Sequence, residues 1–298
     1  MIKKIRESRI LNHFIRDPSA VIGLTICLVL MIGAIFAPLI APQNPYYLQS
    51  LSYENCLRPP VWMEGGTAPF LFGTDDQGRG VFSTILYGLR VSLGVGFGVV
   101  LIAGTVGSLI GIMAGYYRGL LDVLSMRVAD TLFAFSTTLL AFLILGITGS
   151  KGILVVIIAI SLADWVRYAR TTRGNVLSVV EEDYISAARA IGAVDLRIIF
   201  KHIIPNILSS IFVISAIDLA IVIMLEATLS FLGIGVPLTE PSLGMLIAKG
   251  REYLYAGKWW LILFPGGVLA ALVISINLFA DWLREEINPK IQRHQSVE

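Results

Sequence analysis

Two acids stand in one of the most apolar stretches of the chain, Asp218 and Glu226 within residues 206–231. A carboxylate there is costly in lipid, so it faces either a bundle interior or an aqueous cavity. At about 100° per residue, a separation of eight residues puts the two roughly 80° apart on a helix, close enough to share one broad face. They could line a pathway and meet the ammonium group of a passing solute. Equally, they could be paired structurally inside a bundle or with a second subunit. Asp218 suits the pathway better; Glu226, nearer the end of the run, suits a gate or an interface. Asp130 with Arg127, and Asp164 with Arg167, have i,i+3 spacing and read as structural pairs.

A second constellation lies in residues 181–205, Glu181-Glu-Asp-Tyr-Ile-Ser-Ala-Ala-Arg-Ala-Ile-Gly192 followed by Ala193-Val-Asp-Leu-Arg-Ile-Ile-Phe-Lys-His-Ile-Ile-Pro205. It reads as a short amphipathic helix with acids in its first turn, where the helix dipole favours them, stopped at Gly192. A second helix then starts at about Asp195. On physical grounds alone this describes a helical hairpin lying on a bilayer surface just as well.

The ingredients of most other chemistries are missing. His13, His202 and His294 are scattered, without metal-ligand spacing. Gly149-Ser-Lys151 and Gly257-Lys258 lack the upstream glycine and the following hydroxyl of a phosphate-cradling loop. No catalytic residue and no metal site is therefore expected, and the chain should not hydrolyse ATP. Cys27 and Cys56 read as unpaired thiols. A net charge of +2 with a pI near 8.5 is too small to suggest nucleic acid as a partner.

The elements that must hold these residues are membrane helices. Of the 298 residues, 56% are hydrophobic and 15% charged, with a mean hydropathy of +0.78, against about 25% charged in an ordinary soluble domain. The chain is expected to be an all-α integral membrane protein with about six spans, at residues 20–40, 91–116, 123–147, 152–166, 206–231 and 259–280, surrounded by lipid. The first run is longer than the apolar region of a signal peptide, about 7–15 residues. It also has no small-residue cleavage site near Pro38 and Pro42, so it reads as an uncleaved helix. The fourth is short and carries Asp164, and it spans only by continuing through residues 167–170.

Six spans put both termini on one side. The N-terminal segment (Lys3, Lys4, Arg6, Arg9, Arg16) holds five basic residues, the turn at 117–127 two, the loop at 167–201 six and the C-terminus three, leaving seven of 23 for the other side. The positive-inside rule makes the termini and that loop cytoplasmic. The resulting organisation is a cytoplasmic segment 1–19, a first helix 20–40 and an external segment 41–90. A five-helix core follows over 91–285, with a cytoplasmic loop 171–205 and an external loop 233–258, and then a tail 286–298. Gly104, Gly107, Gly111 and Gly115, the last three in G-x-x-x-G spacing, mark a close helix contact, either within the subunit or across an interface.

The 181–205 loop resembles the EAA loop of ABC importer permeases, whose pattern is Glu-Ala-Ala, three residues, Gly, nine residues, then Ile-x-Leu-Pro. Ala187, Ala188 and Gly192 fall in register and Pro205 follows Gly192 by thirteen positions, while Ser186 stands in place of Glu, and His202 and Ile204 replace Ile and Leu. Gly73-Thr-Asp-Asp-Gln-Gly-Arg79, Leu229-Ser-Phe-Leu-Gly-Ile-Gly235, Asn277-Leu-Phe-Ala-Asp281-Trp-Leu-Arg284 and Asn288-Pro-Lys290 resemble motifs of the dipeptide, oligopeptide and nickel permeases. Together with Arg58-Pro-Pro-Val-Trp-Met-Glu-Gly-Gly66, they are most similar to the dipeptide C-type subunit. Gly80 and Leu243 depart from that pattern, which usually has Asp and Trp there.

The resemblance implies a type I ABC importer permease fold in a bacterial inner membrane, paired with a second homologous permease as a heterodimer. It further implies two ATPase subunits or domains that use ATP and Mg, and an external substrate-binding protein that delivers dipeptides or oligopeptides for alternating access. Residues 183–191 would dock in a cleft on the ATPase, with Asp183, Ser186, Ala187, Ala188, Gly192 and Pro205 shaping the contact and Arg189 the candidate for a polar bond. The same machinery also serves nickel chelates or glutathione. Two other classes compete: an ion-coupled secondary transporter built on Asp218 and Glu226, and a membrane scaffold without transport.

Overall fold

A computed structural model describes residues 14–47, 53–237 and 239–287. Lys3, Lys4, Arg6, Arg9, His13, His294 and the Asn288-Pro-Lys290 motif lie outside the described residues.

The chain folds as α1 (Pro18–Ile35), α2 (Ala37–Ile40), α3 (Val81–Tyr117), α4 (Gly119–Phe133), α5 (Thr137–Thr148), α6 (Ile153–Val180), α7 (Asp183–Ala190), α8 (Asp195–Ile198), α9 (Ile204–Phe231), α10 (Leu243–Glu252) and α11 (Trp260–Ile287). No strand occurs among the described residues beyond one isolated bridge, Thr74 to Gly80. Four helical stretches, α1, α3, Asp195–Phe231 and α11, are long and apolar enough to cross a membrane. The pair α4 and α5, bent by 89°, would make a fifth. α6, with 28 residues and so about 42 Å of length, is long enough for a sixth. Its stretch from Asp164 to Arg173, carrying Asp164, Arg167, Arg170 and Arg173, makes it too charged to qualify by composition.

Three expected boundaries move. The second span begins at Val81, ten residues before the predicted start at 91, because a single arginine at 90 interrupts the apolar run but not the helix. The segment expected to run from 41 to 90 is shortened accordingly. The predicted span 123–147 is broken at residues 134–136, where Ser136 turns extended and starts α5. Neither glycine nor proline marks that break, so hydropathy reads across it. The loop expected from 171 begins only after Val180. Thr172, Val176 and Val180, spaced by four, continue the buried face of α6.

The glycine row of α3 is used inside the subunit, against α6. A Cβ on Gly111 would sit 2.5 Å from the Ala169 carbonyl oxygen and 2.8 Å from the Thr172 Cβ, and one on Gly115 would sit 2.9 Å from the Val176 Cβ. The two backbones approach closely because nothing stands between them.

At the opposite end of the bundle from α7, the Gly73–Arg79 motif forms a clip over the start of α3. The Asp75 carboxylate accepts from the Arg79 Nε at 2.7 Å and from the Gln77 and Arg79 backbone N–H groups at 2.9 Å each. Thr74 Oγ1 donates to the Asn55 carbonyl and accepts from the Arg58 N–H. Gly80, where the resembling family has Asp, caps α3 in extended backbone, and its N–H donates to Gln43 Oε1 at 3.0 Å. Leu243, where Trp is usual, is fully buried in a cluster with Leu89, Leu246 and Trp260.

Candidate functional site: the 181–205 hairpin

α7 runs from Asp183 to Ala190, with Asp183 in its first turn and Arg189 in its last, as the dipole favours. It ends in a Schellman turn. The Gly192 N–H donates to the Arg189 carbonyl at 2.9 Å, and the Ala193 N–H to the Ala188 carbonyl at 3.1 Å. The turn requires a left-handed residue, and Gly192 has φ +81°.

The next helix begins at Asp195, as expected, and reaches Pro205 through a π turn at Ile199–Ile203. Proline has no N–H to give and its ring collides with the carbonyl four residues back. The chain widens by one residue just before it, with the Ile204 N–H bonding the Ile199 carbonyl.

The hairpin is packed on one face and open on the other. Ile185, fully buried, and Ala188 enter a cluster with Ile112 and Tyr116 of α3, Val176 and Val180 of α6, and Ile198, Ile203 and Ile207. Burial of Ile185 alone contributes roughly 1.5–3 kcal/mol. Tyr116 Oη donates to the Asp195 carboxylate at 2.6 Å, and Asn206 Nδ2 bonds the His202 carbonyl at 2.6 Å. The Arg118–Glu181 pair, 3.1 Å apart and largely exposed, adds little.

Of the residues singled out in sequence, Asp183, Ser186, Ala187, Arg189 and Gly192 lie on the exposed face. Ala188 does not; it packs inward and fixes the helix to the bundle instead of offering a close approach from outside. Arg189 also has its guanidinium carbon 5.3 Å from the Tyr116 ring centroid.

Asp218 and Glu226 share no open face in this structure, and each is fully buried. Arg167 NH1 donates to Asp218 Oδ1 at 2.7 Å, and its other nitrogen lies 3.5 Å from Asp164, the i,i+3 pair expected. Glu226 accepts from Ser92 of α3 at 2.8 Å and from Ser230 at 2.7 Å, and Ser230 Oγ in turn accepts from the Val236 N–H. The two acids therefore fasten α9 to α6 and to α3.

The predicted Asp130–Arg127 pair is replaced by Asp130–Arg170, and Asp122 takes a bidentate bond from Arg173 at 2.5 and 2.7 Å. Arg167, Arg170 and Arg173 stand three apart on α6 and each meets a carboxylate. Their spacing was visible in the sequence. Apart from the Asp164–Arg167 pair, their partners, 40 to 51 positions away, were not.

A helical membrane bundle with a helix–glycine–helix hairpin docked against it is the architecture of a transport permease, and comparison with known proteins agrees. Residues 107–293 match the family described as binding-protein-dependent transport system inner membrane component, and residues 8–60 match the N-terminal TM domain of oligopeptide transport permease C. The chain belongs to this family and is a transmembrane permease subunit of an ABC importer.

It is 40% identical over 283 residues to a putative peptide transport system permease protein of Brucella abortus, covering 94% of this chain and 91% of that one. It is 34% identical to the dipeptide transport system permease protein of Haemophilus influenzae, covering 94% of each. Among solved structures, an inward-facing MetNI methionine ABC transporter shares the fold, with a TM-score of 0.55 at 18% identity over 69% of this chain and 96% of that chain.

Proposed function

We propose that this subunit carries dipeptides or oligopeptides inward by alternating access, as one half of a permease heterodimer in a bacterial inner membrane. A substrate-binding protein delivers cargo at the external end, where residues 41–80 and 233–258 lie. Two ATPase subunits or domains, using ATP and Mg, engage the cytoplasmic hairpin. The excess of basic residues in the loop and termini supports that orientation. The peptide and dipeptide relatives support the cargo.

The observation that carries the coupling role is the two-sided hairpin. Its inner face is locked into the bundle by Ile185, Ala188 and Tyr116, so a push on the outer face, at Asp183, Ser186, Ala187 and Arg189, moves α3, α6 and α9 together. Pro205 and its π turn set the angle at which the hairpin enters α9. Asp218 and Glu226 act in this reading as anchors of α9 and not as solute contacts.

The test is uptake by the complete importer in proteoliposomes. Uptake should vanish when the partner ATPase is catalytically inactivated; persistence of uptake on an ion gradient alone would favour a secondary transporter. Within that assay, Gly192→Asp should lower uptake roughly tenfold with insertion intact. Asp and Asn both tolerate the left-handed backbone at φ +81°, so the loss comes from the new charge on the docking face, where about 1.4 kcal/mol corresponds to tenfold. No atom lies within 4 Å of a Cβ at this position, so Gly192→Asn, which tolerates the left-handed region, should retain most uptake. Normal transport by Gly192→Asp would remove the coupling assignment.

A further inference from the structure

Arg90 is the single charged residue in the 37 residues of α3, and among the described residues no acid forms an ion pair with it. Its side chain is exposed, and no carboxylate among the described residues lies within ion-pair distance of it. Its nearest aromatic neighbour is the Tyr87 ring, 5.9 Å from the guanidinium carbon. Every arginine of the α6 row has an acid. Arg90, nine residues into a helix whose remainder is apolar or small, does not. A cation in such a position is costly unless it meets water or an anion.

The surroundings suggest which anion. Arg90 lines a cleft of about 320 Å³ together with Glu240, Tyr46 and Tyr87, with Val91 and Ile153 as apolar wall. The two tyrosine rings meet edge to face at 5.5 Å, fixing one side of the cleft. A guanidinium, a carboxylate, two phenols and an apolar wall form a complement to a small zwitterion with apolar side chains, and the volume falls within the range of small-molecule sites, about 300–1,000 Å³. Guanidinium binds carboxylate through two parallel bonds, a geometry lysine does not offer. The cleft opens at the end of α3 that the proposed orientation makes external.

We propose that this cleft is an entry subsite for peptide termini: Arg90 takes the C-terminal carboxylate and Glu240 the N-terminal ammonium of a peptide released from the binding protein. This rests on the peptide reading above. It differs from the anchoring acids, Asp218 and Glu226, which have partners within the chain.

The experiment uses the complete importer in proteoliposomes, with tritiated alanyl-phenylalanine and its C-terminal amide each preloaded at saturation on the binding protein. Arg90→Ala should lower uptake of the free acid by about tenfold or more, the scale expected for loss of a charged hydrogen bond. Uptake of the amide, already low, should stay where it is, so that discrimination between the two collapses. Arg90→Lys should fall between, and Glu240→Gln should reduce discrimination against N-acetylated peptide in the same way.

Free-acid uptake by Arg90→Ala within twofold of wild type would overturn the subsite and leave the peptide reading standing. So would failure of that variant to co-purify with its partner permease, since Arg90 would then be a subunit contact. Absence of peptide uptake by the wild-type complex removes the peptide reading, and the subsite with it.

Discussion

Replacing Arg167 by Met lowers the stability of the subunit by about 3–5 kcal/mol, the cost of leaving a buried charge without its partner. Asp218 is fully buried and Asp164 nearly so, and Arg167 is the cation that reaches both. Without it, two carboxyl groups at the α6–α9 contact face each other across an apolar interior. One of them must then take up a proton or the helices must part. Thermal unfolding of the detergent-solubilised complex should show a large drop. The double variant Arg167→Met with Asp218→Asn should recover part of it, because it removes one of the two uncompensated carboxylates and leaves only Asp164 without its cation. Failure of the second change to rescue the first would mean that Arg167 acts through contacts other than Asp218.

Gly111→Leu is expected to be at least as damaging, exceeding the range of about 0.5–3 kcal/mol that covers most substitutions. The first carbon of the new side chain already lies 2.5 Å from the Ala169 carbonyl oxygen, and the obstructing atom is backbone. No rotamer change relieves that contact; α3 and α6 must separate along their length. Gly146→Leu is the matched control. Gly146 is an exposed glycine of α5, with nothing within 4 Å of its Cβ, and the same substitution there should change stability by no more than about 1 kcal/mol. The readout is the yield of folded protein in membranes together with the melting temperature after solubilisation. Equal behaviour of the two variants would show that the seam tolerates separation.

The hairpin could be read from the sequence almost residue by residue because its signals are local. Acids in a first turn, a glycine at φ +81° that ends the helix, and an acid opening the next helix each act within a few residues. Even there, the inward direction of Ala188 was hidden, since the face a short helix turns to its neighbours depends on the apolar side chains contributed by α3, α6 and α9. The start of α3 was misplaced because hydropathy treats Arg90 as a boundary, whereas backbone hydrogen bonding continues through it. The break at residues 134–136 carries no helix-breaking residue at all.

Apolar content, the run lengths and the lack of any phosphate-cradling or metal-ligating pattern determined from sequence alone that this chain is a membrane-spanning helical protein and that its recognisable motif lies in a loop. Those are properties of composition and short-range spacing. Which acid meets which arginine, which helix the α3 glycines admit, and which cation is left facing a cleft were decided only by the tertiary structure. Asp218 and Arg167 are 51 positions apart, and Glu226 and Ser92 are 134. An ion pair or a close backbone approach forms only when two helices take one particular rotation and depth against each other. That rotation is set by the packing of the whole bundle, which no single stretch of sequence contains.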